Sequence, residues 1–277
     1  MRVFDSHQHF WQIGGPGHSW PDAGWPGIYR DFLPADLRVA AEGVNLVGTV
    51  LVQSQPADAD TDWMLAVAGD APLIEGIVGW ADLEAEDAPA RITELARRPK
   101  LVGLRPMLQA MDDTEWLLRP SVEPGLAAMV ANHLRFDALV QPRHLAMLRL
   151  VAERWPELPM VIDHAAKPDA AAGTLDPWRE EIAALATLPH VHCKLSGLRT
   201  EQAPRQPADA LSPFVEHLVA VFGDRLMWGS DWPVLLHAGD GYRDWVDAAR
   251  RLARLAPDAE QWLFEGAARR FYGLVTD

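Results

Sequence analysis

The feature that most constrains this chain is a series of eight short apolar runs, each ending in polar or Gly/Pro residues and each followed by a helix-like segment. The runs are VFDSHQHF (3–10), LVGTVLVQS (46–54), LIEGIVGWADL (73–83), KLVGLRPML (100–108), LRFDALVQP (134–142), LPMVIDHAAKP (158–168), HVHCKLSGL (190–198) and RLMWGSDWPV (225–234). Between them lie segments such as PADLRVAAEG, HLAMLRLVAERW and YRDWVDAARRLARL, which have helical character. Strands alternating with helices imply a parallel sheet. Eight of them, about 30 residues apart, match a closed (β/α)8 barrel better than an open sheet. No linker, repeat or low-complexity tract interrupts the series, so residues 1–277 read as one α/β domain, a slightly distorted TIM-type barrel.

Such a barrel gathers its chemistry at the C-terminal ends of the strands. There the sequence places His7 and His9, Gln53, Trp80 with Asp82, Arg105, Gln141, His164, Lys194 with Ser196, and Asp231. Apolar strands that finish in polar residues conflict with local burial, and such conflicts mark function more often than structure. On a strand, His7 and His9 share a face, roughly 7 Å apart by strand rise, as a metal clamp requires. Together with His164 and Asp231 they offer the neutral nitrogen and anionic oxygen donors that suit Zn²⁺. Strict alternation sends Asp163 to the opposite face from His164, toward the barrel exterior. Asp231, before Trp-Pro, also reads as a helix N-cap, and Lys194 as one half of an ion pair inside the barrel.

Residues 12–34, between the first strand and its helix, form the longest irregular insert, and its Trp20, Trp25 and Tyr29 are candidates either for a pocket wall or for anchors on the barrel rim. Twelve tryptophans against three tyrosines is an unusual ratio, and Trp11, Trp25, Trp80 and Trp232 are candidates to stack on a sugar ring. A net charge of −14 argues against nucleic acid and anionic membranes as partners. The single cysteine, Cys193, excludes an intrachain disulfide and reads as a small buried thiol. With no apolar stretch long enough for a membrane span and no leader pattern, a cytoplasmic protein is expected, its oligomeric state open.

H-Q-H on the first strand, D-H-x-x-K-P on the sixth and G-S-D-W-P on the eighth resemble the amidohydrolase superfamily (amidohydrolase-2 type). More closely, DSHQHFW, YRDFLP, TVLVQS, GLRPML, LVQPRHL, DHAAKP, CKLSGL and WGSDWPV are similar to its sugar-lactonase branch, which includes L-fuconolactonase- and L-rhamnonolactonase-like enzymes. The resemblance implies a barrel hydrolase in which His7, His9, His164 and Asp231 surround the attacking water. It also exposes a departure. Gln141 stands where a fifth-strand histidine ligand is usual, and no bridging lysine is evident on the fourth strand, which argues against a two-metal site. One divalent ion, Zn²⁺ first, is the expectation; some lactonases of this branch work without a tightly held metal, so metal dependence stays open.

The expected reaction is opening of a sugar lactone such as L-fucono-1,5-lactone, with Asp231 as general base and His164 and Arg105 bearing the developing oxyanion. Trp11, Trp25, Tyr29, Trp80 and Trp232 would line the substrate, with Gln53, Gln141, Lys194 and Ser196 as polar contacts. Three alternatives remain at this level. A dicarboxylate lactone would use clustered arginines among Arg30, Arg105, Arg143 and Arg199. A metal-dependent decarboxylase would release CO₂, and a sugar-acid binding protein would bind without turnover.

Overall fold

Each expected run contains a strand, shorter than the run itself. The computed structural model describes residues 1–15 and 17–274. Strands β1 (Val3–Gln8), β2 (Leu46–Val52), β3 (Ile74–Gly79), β4 (Leu101–Leu104), β5 (Arg135–Ala138), β6 (Met160–Ile162), β7 (Val191–Leu195) and β8 (Leu226–Trp228) form one parallel sheet in chain order. They alternate with α1 (Pro34–Ala40), α2 (Asp58–Gly69), α3 (Ala88–Leu95), α4 (Glu123–Ala131), α5 (Leu145–Arg154), α6 (Trp178–Ala186), α7 (Ser212–Phe222) and α8 (Tyr242–Ala253). Two further helices, α9 (Pro257–Gln261) and α10 (Ala267–Tyr272), follow the last strand. The architecture is a (β/α)8 barrel. No helix among the described residues is long and apolar enough to cross a membrane.

Two apolar clusters hold it. The larger lies between sheet and helices. The smaller fills the barrel interior with Phe4, Val50, Val52, Val78, Val161 and Met227, against which Ala267, Ala268, Phe271 and Tyr272 of α10 pack. Helix α10 plugs the N-terminal end: Arg269 pairs with Glu75 beside the start of β3, and Arg135 at the start of β5 donates to Phe271 O at 2.8 Å. The opposite end is left open for chemistry.

Ring closure is unlike the other strand junctions. No ladder joins β8 to β1; a single parallel bridge pairs Gln8 with Trp232, flanked by Asp231 N–H to His7 O (2.8 Å) and His9 N–H to Trp232 O (2.8 Å). The Asp5 carboxylate supplies the rest, accepting from Ser230 N–H (2.9 Å), Ser230 Oγ (2.6 Å), Tyr242 OH (2.9 Å) and His7 N–H (3.1 Å). Burial pushes Asp5 up to about 6, against the pull of these hydrogen bonds. Gly229 makes the approach possible, since a Cβ there would lie 2.8 Å from His7 Cβ. Cys193 is wholly buried in β7, as its apolar surroundings implied, and burial pushes its thiol far up.

Candidate active site

His7 and His9 converge as the H-x-H spacing requires, their Nε2 atoms 3.1 Å apart. Asp231, in the excursion after β8, brings Oδ1 to 3.3 Å from His9 Nε2 and 3.8 Å from His7 Nε2. His7, His9 and Asp231 are the one His/Cys/Asp/Glu cluster among the described residues whose ligand atoms all lie within 4.8 Å of one another. Those separations fit the edges of a tetrahedron around zinc, about 3.3 Å for Zn–N bonds of ordinary length. His164 stands just outside the trio, its Nε2 3.8 Å from Asp231 Oδ1 and its ring centroid 4.5 Å from that of His7. The Asp231 side chain makes no helix-capping bond; it faces three imidazoles.

The ring nitrogens admit two complete hydrogen-bond patterns. His9 Nδ1–H donates to Val52 O at 2.8 Å, which leaves Nε2 with a lone pair. His7 Nδ1 lies 3.2 Å from Lys194 Nζ and 3.3 Å from Asp163 Oδ1. If Lys194 donates to Nδ1, His7 Nε2–H donates to His9. If Nδ1–H turns to Asp163 Oδ1, both Nε2 lone pairs face the same point and a cation fits between them. Burial holds His7 and His164 well below the ordinary histidine range, so both are neutral rings.

Beneath the histidines lies a buried charge network. Lys194 Nζ donates to Asp137 Oδ2 (2.5 Å) and sits 3.0 Å from Asp163 Oδ1; Tyr272 OH reaches the same Asp137 oxygen at 2.6 Å. Arg105 Nη1 donates to Asp163 Oδ2 at 3.2 Å, and Nη2 donates to Gln53 O. Burial alone would raise the Asp163 carboxyl, but Lys194, His7 and Arg105 outweigh it and hold it well below its ordinary value. Asp137 shifts the other way, raised by burial. The expected exterior placement of Asp163 therefore fails. Asp163 keeps the inward face of Val161, two residues before it, and stands among cations; the residue that departs from alternation is His164, where the backbone turns left-handed beyond the end of β6 at Ile162.

Above the trio opens a cavity of about 480 Å³, within the usual range for small-molecule sites. His9, Arg105, His164 and Asp231 form its floor, and Trp20, Trp25 and Met107 are among its walls. The insert thus does both things the sequence allowed. Trp20 and Trp25, in edge contact 5.6 Å apart, face the cavity, and Trp20 also packs edge-on at 5.3 Å against the buried Trp11, whose Nε1–H donates to Arg30 O at 2.9 Å. Gln55 Oε1 fixes the loop by accepting from Ser19 N–H (2.8 Å) and Trp20 N–H (3.1 Å).

Most other expected substrate contacts lie elsewhere. Lys194 is fully enclosed under His7 by its two carboxylates; Ser196 is spent on His164 Nδ1 at 2.9 Å; Gln53 is buried and donates to Arg105 O at 2.8 Å. Trp232 is buried against Phe10 and Phe32 at the seam, and Tyr29 is exposed outside the cavity. Trp80 is bound through its backbone to Thr61, and Gln141 heads the turn Pro142–His144; neither lines the cavity. Lys194, Ser196 and Gln53 brace the floor, because a polar residue at a strand end bonds whichever neighbour the barrel brings beside it. Missed altogether were Lys167, Thr200, Glu201 and His237, which line the cavity from the loops after β6, β7 and β8. For Lys167 the D-H-x-x-K-P motif was the available signal.

An amidohydrolase family model matches residues 4–274. An L-fucono-1,5-lactonase of Burkholderia ambifaria is 45% identical over 97% of this chain and 94% of its own length. An L-fucono-1,5-lactonase of Burkholderia multivorans is 35% identical over 98% of this chain and 95% of its own length. A crystal structure of a Burkholderia multivorans amidohydrolase with bound zinc superposes with TM-score 0.92 and 34% identity, covering 99% of this chain and all of that one. Barrel, strand-end donors and these likenesses agree: the chain belongs to the amidohydrolase family.

Proposed function

We propose that this protein is a lactone hydrolase whose substrate is a neutral sugar lactone, L-fucono-1,5-lactone first among candidates, opened by an activated water to the hydroxy acid. The observation that carries the reading is Asp231: a buried carboxylate on the floor of an aromatic-walled cavity, beside two histidines that converge on it. The two lactonases of Burkholderia support the substrate.

His7, His9 and Asp231 would hold one zinc ion, which supplies a more acidic water and a polarised carbonyl when bound. Asp231 takes the proton from the attacking water and returns it to the departing ring oxygen. Arg105 presents its guanidinium to the developing oxyanion, its orientation fixed by Asp163 and Gln53. With Ser196 donating to His164 Nδ1, the Nε2–H of His164 is a second donor on the floor. Trp20 and Trp25 offer faces to the ring.

The arginines speak against a dicarboxylate substrate. Of the four the sequence offered, Arg105 alone lines the cavity. Arg30 binds Asp36, Arg143 binds the carbonyls of Gln109 and Met111, and Arg199 binds Asp240.

A pH-indicator screen of aldonolactones and dicarboxylate lactones, before and after chelation and with Zn²⁺ restored, tests the reading. Acid release from L-fucono-1,5-lactone is expected. Preference for a dicarboxylate lactone, CO₂ evolution, or tight lactone binding without turnover would each overturn it. On the metal, Asp163→Asn should weaken Zn²⁺ binding on the order of tenfold, measured by chelator competition, because the charge that fixes the His7 tautomer is lost. Unchanged affinity would remove Asp163 from that role.

A further inference from the structure

One element of the D-H-x-x-K-P motif has no part in the mechanism above, namely Lys167. Its position is fixed in a costly way. His164, Ala165, Ala166 and Lys167 have φ of 53°, 51°, 60° and 52°, a complete left-handed turn built from residues with a Cβ. L-residues visit this region singly and seldom, so a run of four persists where surrounding contacts over-determine it, and such strain gathers at functional sites. Here Lys167 N–H closes the turn on His164 O at 2.8 Å, and Trp178 Nε1–H holds Ala165 O at 2.7 Å. Gly197 makes room: a Cβ there would sit 2.4 Å from His164 Nδ1, and its own φ is +62°. The product of this turn is that His164 and Lys167 both face the cavity.

Lys167 Nζ donates to Glu201 Oε1 at 2.9 Å, with the two side chains 19% and 24% exposed. Glu201 ends the 3-10 turn Leu198–Glu201 after β7, and it too lines the cavity. A partly solvated pair of this kind adds little to stability, so stability does not account for the strained backbone that delivers it. Its chemistry does suit a ligand. One ammonium N–H is committed to Glu201, which leaves two donors; Glu201 commits Oε1 and keeps Oε2 as an acceptor. Adjacent ring hydroxyls need just that: one oxygen accepting from a cation, the next donating to an anion. A carboxylate or sulfonate substituent would meet Lys167 favourably but be repelled by Glu201 beside it.

We infer that Lys167 and Glu201 form the subsite that reads neighbouring hydroxyls of the lactone ring, and that they are specificity-determining residues with no part in bond breaking. The inference rests on the lactone-hydrolase reading.

The test compares L-fucono-1,5-lactone with δ-valerolactone, a ring of the same size without hydroxyls, in wild type, Lys167→Met and Glu201→Gln. For the hydroxylated lactone, KM should rise about tenfold to thirtyfold in each variant, the scale of a lost hydrogen bond to a charged group. For δ-valerolactone, kcat/KM should stay within about twofold, as expected where no hydroxyl is read. Equal losses on both lactones, or no loss on either, overturn the inference while leaving the hydrolase reading intact. Wild-type turnover of neither lactone overturns both.

Discussion

Asp231→Asn is expected to lower lactone hydrolysis by at least roughly 10²-fold at pH 7, the scale of losing a general base, with the fold unchanged. The substitution is unusually clean here. Asp231 has φ of 56°, and asparagine is the residue that shares aspartate's tolerance of left-handed backbone. Its backbone N–H bond to His7 O and carbonyl bond to Leu235 N–H survive the change. What disappears is a carboxylate that takes the water's proton and, with His7 and His9, would hold the zinc ion, so zinc content is measured beside kcat. Because lactones open spontaneously as pH rises, the uncatalysed rate must be subtracted. Near-normal kcat in a folded variant would remove the central residue from the mechanism.

Lys194→Met should destabilise the protein by about 3–5 kcal/mol, the cost of removing one partner from a buried ion cluster. The methionine stem can fill the volume, but Asp137 and Asp163 lose the cation between them. Arg105 still faces Asp163 at 3.2 Å, whereas Asp137 retains just the Tyr272 hydroxyl. Adding Asp137→Asn to Lys194→Met should therefore recover part of the loss. Guanidinium unfolding midpoints at pH 7 measure both effects, and a shift below about 1 kcal/mol for Lys194→Met would show that the cluster is not coupled as its geometry says.

The eight strands were legible because parallel strands are buried on both faces and read as apolar runs. Their ends were not. The run 158–168 continues in sequence without a break, yet β6 stops at Ile162 and the chain enters the left-handed turn. Alternation counted back from His164 sent Asp163 outward, whereas Asp163 keeps the interior face of Val161 and His164 is the residue that the turn redirects. The run 225–234 likewise outlasts β8, which stops at Trp228, because Gly229, Ser230 and Asp231 leave the sheet to close the seam. Depth inside the barrel was equally hidden. Lys194 and His7 lie on different strands, and nothing in either strand tells which one stands above the other. Lys167 and Glu201 are 34 residues apart on separate loops, so their pairing exists only in three dimensions.

The seam between β8 and β1 has a consequence for how activity reports on the molecule. His7 and His9 lie at one end of the chain and Asp231 at the other, joined across 225 residues by Asp5 and Ser230. A chain that has assembled seven strands but not met its own beginning has a core and no trio. Activity is thus a titre of completed rings: in a partly refolded, nicked or heat-stressed sample, specific activity counts the closed molecules, while helical content counts open and closed alike.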